Sequence, residues 1–339
     1  LNEKGECFEH PGARLEEVEE ENYFFRLSRY ADWLESIIVD GSLAVIPDTR
    51  KNEVLSLIRG GLKDFSVSRP AARTKGWGVP VPDDPNHVMY VWYDALANYI
   101  TGLGYPEVST PRFQKFWGGK GERVHVIGKG ISRFHAVYWP AMLKSAGLPI
   151  PTLVFVHGYV GVDRQKISKT LGNVVDPFEI VEKYGTDALR YWLLREMPTF
   201  EDGDFTWEKF EEAYHANLAN GLGNLTARVM KLAEDNLEGP VEEFLSSFPP
   251  ELFEKFEIGK MMDYIWTRIQ KLDKKINDEE PFKLVKTDPD RGKKTIRGLV
   301  EELHHIAELL IPFLPDTSEK ILNAIQENKK PDTLFPRIG

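Results

Sequence analysis

The spacing of apolar residues changes period once along this chain, near Trp207, and that change limits the folds open to it. Before it, short apolar runs alternate with amphipathic segments: Val124-His-Val-Ile-Gly128 precedes a helical stretch from Ile131 to Ala146, and Leu153 to Val156 runs into His157-Gly158. Strands alternating with helices build an α/β layer whose ligands are received at the carboxyl ends of the strands. After Trp207 the strand signals vanish. Ile258, Met261, Met262, Ile265, Ile269, Leu272 and Ile276 recur at steps of three and four, which puts them on one helix face. Similar faces run through Leu218–Leu232 and Leu299–Leu310, and Pro312-Phe-Leu-Pro315 introduces a last helix. The expected fold is α/β followed by all-α, ending in an antiparallel helix bundle.

Within the first part, YADWLESII and Lys51–Leu62 read as helices and Phe65–Arg69 as a strand. Two prolines confine Trp77–Pro82 to an edge or a loop. His87–Trp92 reads as an apolar strand passing into a helix over Asp94–Leu103, so Trp92 is expected at a strand end of the sheet. Helices are expected over Asp176–Tyr184 and Asp187–Arg195, with a turn-rich bridge at Phe200–Phe205. The charged run Lys283–Lys294 reads as a solvated connection.

At 339 residues, 42% hydrophobic and 12% aromatic, the chain can bury cores in two or three domains. No apolar run approaches the roughly 18 residues needed to span a bilayer, and the first residues lack a signal-peptide pattern. No membrane association is expected. A single cysteine allows no internal disulfide and points to a reducing compartment, the cytoplasm or alternatively an organellar matrix. The net charge of −10 argues against indiscriminate coating of nucleic acid, while leaving room for a local basic track.

Four groups of residues carry candidate chemistry. Lys166, Ser168 and Lys169 follow the Leu153–Val156 strand on a polar loop, where two ammonium groups suit a polyphosphate; a solvated basic loop is the alternative. Trp92 and Tyr99 either line a ligand crevice or serve as core aromatics, and His135 is either functional or a satisfied structural histidine. Gly128-Lys129 is no P-loop, because the leading glycine position falls at Arg123 and Gly130 follows the lysine. Asn217, Asn220, Asn224 and Arg228 share one ridge by their spacing, with the aromatic Phe282 elsewhere in the bundle. They could read unstacked bases or make interhelix contacts. Cys7 and His10 have the spacing of half a tetrahedral zinc site, and no second cysteine pair accompanies them.

The run Lys166-Ile-Ser-Lys-Thr170, followed by Leu-Gly-Asn-Val-Val-Asp-Pro177, resembles the KMSKS signature of class I aminoacyl-tRNA synthetases. Its surroundings resemble the methionyl-tRNA synthetase family. Glu20–Ser28 and the strings YVWYDALANYI and VIGKGISRFHAVYWPAML are similar to family segments, from about Glu6 to Ile338 in all. The resemblance implies the second half of a Rossmann-like parallel sheet plus an anticodon-binding bundle. It places the tail of a connective insert at 1–64, the catalytic fold at 65–160, the signature loop and stem-contact region at 161–206 and the bundle at 207–339.

The implied activity is ATP-dependent methionine activation and transfer to tRNA(Met), with Mg²⁺ as companion. Lys166, Ser168 and Lys169 would be catalytic, and Gly128, Lys129, His157, Gly158, Lys166 and Lys169 would face ATP. Trp92, Ala95, Leu96, Tyr99, Phe134 and His135 would hold methionine, and Asn217, Asn220, Asn224, Arg228 and Phe282 would meet the anticodon. Cys7 and His10 would be the second half of a zinc knuckle. The chain departs from the pattern at Gly130, where the family carries aspartate, and contains no H-I-G-H-like quartet. The implied reading is a C-terminal part that needs an N-terminal half, either cut from a longer chain or one piece of a split enzyme completed by an N-terminal polypeptide, its LFPRI ending resembling the end of the core enzyme. A tRNA-binding module without catalysis, and a synthetase for another aliphatic amino acid, are the alternatives.

Overall fold

The computed structural model describes residues 19–162, 165–166, 174–242 and 256–338. Cys7, His10, Ser168 and Lys169 lie outside the described residues. The chain divides into two compact units, Leu1–His157 and Gly158–Gly339.

The first unit contains β1 (Phe24–Phe25), α1 (Ala31–Val39), β2 (Ala44–Ile46), α2 (Asp48–Arg59), β3 (Phe65–Ser66), β4 (Ser68–Pro70), β5 (Pro80–Val81), β6 (Asp84–Met89), α3 (Val91–Thr101), α4 (Pro111–Phe113), β7 (Val124–Gly128), α5 (Trp139–Ser145) and β8 (Leu153–His157). Its parallel sheet has the order β2-β8-β7. The central strand β8 buries Leu153, Val154, Phe155 and Val156 in succession, so it reads as a continuous apolar run. The edge strand β7 alternates instead, burying His125 and Ile127 and exposing Val124 and Val126.

Helices α1 and α2 pack Leu34, Ile38, Val54 and Ile58 into one core with Ile127, Val154 and Val156. Strand β2, which lies before the boundary expected at Asp64, pairs Ala44–Ile46 with Leu153–Phe155 of the sheet.

A correction concerns Trp92. Strand β6 ends at Met89 and belongs to a separate antiparallel sheet, β4-β6-β5. Tyr90 keeps an extended backbone before α3 begins, so Trp92 stands in a first helical turn and not at a strand end of the parallel sheet. The apolar run across the boundary hides the change, since side chains on either side of Tyr90 are equally compatible with strand or helix.

The second unit contains β9 (Val160–Val162), β10 (Gln165–Lys166), α6 (Pro177–Tyr184), α7 (Thr186–Tyr191), β11 (Gly203–Phe205), α8 (Trp207–Ala213), α9 (Asn224–Asn236), α10 (Ile258–Glu279), α11 (Pro281–Thr287), α12 (Pro289–Leu310) and α13 (Pro315–Gln326). The bridge expected at Phe200–Phe205 contains a strand, β11, which pairs in parallel with β9. The run Lys283–Lys294 is helical, interrupted at Asp288, whose side chain accepts the Arg291 N–H at the start of α12.

Core packing in this unit is continuous across residue 206. Ile180, Tyr191, Trp192 and Phe205 share one core with Phe210, Trp266 and Leu303. Buried Asp187 accepts the Thr317 N–H at the start of α13, 2.7 Å away. Arg190 donates to the carbonyls of Phe313 and Pro312. No helix among the described residues is long and apolar enough to cross a membrane.

Two glycines of α12 should respond oppositely to the same substitution. A Cβ on buried Gly292 would lie 2.6 Å from the Val285 backbone nitrogen of α11, whereas one on Gly298 meets only the end of Lys275 at 3.9 Å. Gly292→Ala should cost about 1–3 kcal/mol by overpacking. Gly298→Ala should gain about 0.5–1 kcal/mol through helix propensity. Urea unfolding of the two variants checks the signs.

Candidate functional site

The aromatic site of the first unit is built from α3 and the segment after β7. Trp92, Leu96 and Tyr99 lie at i, i+4 and i+7 along α3, and Ala95 is half-buried beside them. Opposite, a π-helical stretch, Phe134–Tyr138, carries Phe134 and His135, both buried. The Trp92 and Phe134 rings stack with centroids 4.3 Å apart. Leu96 is packed in the core among Ile100, Trp117, Phe134 and Trp139.

A hydrogen-bond chain fixes the centre of this cluster. His135 Nδ1 lies 3.0 Å from the Ile131 carbonyl, which can only accept, so Nδ1 carries the proton of the neutral ring. Nε2 is then an acceptor, and the Tyr99 hydroxyl donates to it over 2.8 Å. Burial lowers the pKa of His135 and raises that of Tyr99. His125 packs 4.3 Å from the Tyr99 ring and 5.5 Å from His135. Burial, reinforced by His135, pushes its pKa down to about 4. The cluster is uncharged at neutral pH, a surface suited to a polarizable thioether.

Two residues not among those expected from the sequence, His125 and Trp139, also pack into the cluster. His125 carried a usable signal, a polar residue at a buried position of an alternating strand. Trp139 packs 6.1 Å from Tyr99 and is almost wholly buried, but its sequence position, next to Pro140 at a helix start, does not separate a site wall from a core residue.

The nucleotide-facing candidates divide between the units. Gly128 and His157 are register partners at the carboxyl ends of parallel β7 and β8. Lys129 opens a 3₁₀ turn after Gly128, and the Ser132 hydroxyl donates to its carbonyl. In the second unit, Gly158 has a structural reason to be glycine, because a Cβ there would overlap the Glu201 carbonyl. Lys166 pairs in β10 with Gly161 of β9.

The bundle residues do not all come together. Asn220, Asn224, Arg228 and Phe282 line two adjoining hollows that share Asn224. Asn217 lines a different one, with Trp192, Glu196 and Asp204. The cause is the π-helical stretch Tyr214–Gly223, whose wider turn breaks the three-and-four spacing that put Asn217 on the ridge. Asn220 accepts from Arg337 at 2.7 Å, and Arg228 is held by Asp273 at 2.5 Å and Asn277 at 2.9 Å. Phe282 is 45% exposed at the start of α11, placing it beside solvent and not in the core.

The sequence pattern of the family described as tRNA synthetases class I (M) matches residues 10–230. The chain belongs to the methionyl-tRNA synthetase family. A methionine–tRNA ligase of Brucella suis is 42% identical over 330 residues, covering 93% of this chain and 63% of that protein. One of Thermotoga maritima is 40% identical over 331 residues, covering 93% and 52%. The chain thus spans between half and two thirds of these family members. Among solved structures, Mycobacterium tuberculosis methionyl-tRNA synthetase bound by methionyl-adenylate superposes with a TM-score of 0.80 at 35% identity, covering 95% of this chain and 68% of that one. Across the family likeness, the parallel sheet and the C-terminal helix bundle are both present here. Among the described residues, no three His, Cys, Asp or Glu side chains converge as a metal site.

The buried histidine makes a pH signature. His125 binds a proton near pH 6.5 when unfolded and only near pH 4 when folded, so its contribution to stability is lost as pH falls from 6.5 toward 4. His125→Phe should flatten the fall in urea midpoint between pH 6.5 and 5 relative to the parent chain. Parallel slopes would contradict this assignment.

Proposed function

We propose that this chain supplies the methionine pocket, the signature lysine loop and the anticodon-reading bundle of a methionine–tRNA ligase. The observation that carries the reading is the neutral aromatic cluster in which Tyr99 donates to His135. Its uncharged walls favour a thioether over a charged side chain, and its rings offer polarizable contact. In this reading Trp92, Ala95, Leu96, Tyr99, Phe134 and His135 receive the methionine side chain.

The methionine carboxylate attacks the α-phosphorus of ATP and pyrophosphate leaves. The terminal ribose hydroxyl of tRNA(Met) then attacks the adenylate carbonyl, and AMP leaves. Positioning and charge compensation carry the first step, without a covalent enzyme intermediate. Lys166 and Lys169 compensate the phosphate charge, with Ser168 in the same loop and Gly128, Lys129, His157 and Gly158 on the nucleotide side. Mg²⁺ would supply further charge neutralisation on the triphosphate oxygens. The reading requires an H-I-G-H quartet, which these 339 residues do not contain; an N-terminal half, on the same longer chain or on a separate polypeptide, would supply it.

Gly130, where the family has aspartate, favours a second reading, a tRNA-binding module without catalysis. Amino-acid-dependent ATP–pyrophosphate exchange, measured with a quartet-bearing N-terminal half added, separates them. Exchange with methionine supports the ligase. Binding of tRNA without exchange supports the module, and exchange favouring leucine, isoleucine or valine would assign another amino acid.

In the reconstituted enzyme, Trp92→Ala should raise the KM for methionine far more than that for ATP. Equal effects would count against the pocket. Phe282→Ala should weaken tRNA charging while leaving exchange nearly intact, and parallel losses would instead indicate a folding defect.

A further inference from the structure

The residues after α13 lie along the bundle ridge that carries Asn220 and Asn224. Asn328 takes a left-handed backbone, φ +48°, which turns the chain at the end of the helix. Its side chain donates to the Leu237 carbonyl. Further on, Phe335 is buried in the bundle core, the Tyr214 hydroxyl donates to the Pro336 carbonyl at 2.8 Å, and Arg337 donates to Asn220. These anchors hold residues 328–338 as a strap beside the π-helical stretch and α9.

The strap walls two hollows, of about 540 and 420 Å³. Asn224, Ala227 and Lys330 line both, and Phe282 lines the smaller. Three cations border the smaller hollow, and their charges are engaged differently. Arg228 is paired with Asp273, and Lys231 with Asp235 at 2.6 Å. Lys330 makes no ion pair among the described residues, is exposed, and has Asp332 as the carboxylate lining the larger hollow with it. Its ammonium group is therefore free to meet an outside anion at the junction of the two hollows.

We infer that Lys330 binds a backbone phosphate of the single-stranded RNA loop whose bases meet Asn224, Arg228 and Phe282. This rests on the anticodon reading above and adds to it a division of labour. Phosphate contacts set register without reading sequence, whereas amide and aromatic contacts read the bases. Asn220, already bonded to Arg337, ties the strap down.

The test is binding of the full chain to a labelled stem-loop RNA bearing the methionine anticodon, and to one with a scrambled anticodon, from about 50 to 200 mM salt. Lys330→Ala should weaken both RNAs alike, severalfold, and make the slope of log K against log salt shallower by about 0.7, the loss of one single-strand phosphate contact. Lys330→Arg should restore the slope. Asn224→Ala should weaken only the methionine-anticodon RNA and leave the slope unchanged. An unchanged slope in Lys330→Ala, or a loss confined to one sequence, would overturn the inference while leaving the anticodon reading in place. Equal binding of both RNAs by the parent and by Asn224→Ala would overturn that reading and this inference with it.

Discussion

The hydrogen bond from Tyr99 to neutral His135 holds the aromatic site in the form the proposed chemistry needs. It joins α3 to the π-helical stretch after β7, two elements distant in sequence. It is set by the Ile131 carbonyl, which accepts from the other ring nitrogen and leaves Nε2 without a proton. A buried hydrogen bond contributes only about 1 kcal/mol net, but leaving either partner unsatisfied costs more. The pair therefore specifies ring orientation more than it stabilises the fold. Trp92 stacked on Phe134 and His125 packed on Tyr99 extend the same uncharged surface.

The supporting elements explain why that surface can be held. Strand β8 is buried on both faces and carries β7 beside it, so β7 and β8 end together at Gly128 and His157. The residues that follow β7 enter the π-helical stretch within one short turn. The second unit is organised differently, by a continuous core from Val162 to Phe335 that joins the strands after residue 158 to the helices. Its outer ridge keeps Asn224 and Phe282 in reach of solvent, while Arg228 is held in place by α10.

Much of this was legible in the sequence, for reasons that differ by element. The stripe from Ile258 to Ile276 defines α10 because seven apolar residues repeat at helical spacing, and all but Ile258 are fully buried. The runs at Val124 and Leu153 were legible as strands because apolar residues end abruptly at Gly128 and before Gly158. Helical departures were not legible. Neither Phe134–Tyr138 nor Tyr214–Gly223 contains a residue that demands a wider turn, and the second one carries Asn217 away from the ridge. The end of β6 was misplaced because Met89-Tyr-Val-Trp92 has no breaker. The helical nature of Lys283–Lys294 was masked by its charge, although Pro289 one residue after Asp288 is a helix-start signal. The site aromatics were recognisable by family likeness, but spacing alone did not separate them from a core.

Whether the α3 cluster receives a methionine side chain is decided by photolabelling the chain with a diazirine analogue of methionine and mapping the labelled peptides. Peptides containing Trp92–Tyr99 or Phe134–His135 should be labelled, with the labelling suppressed by excess methionine and far less by leucine. Labelling elsewhere, or suppression by leucine as strong as by methionine, would contradict it.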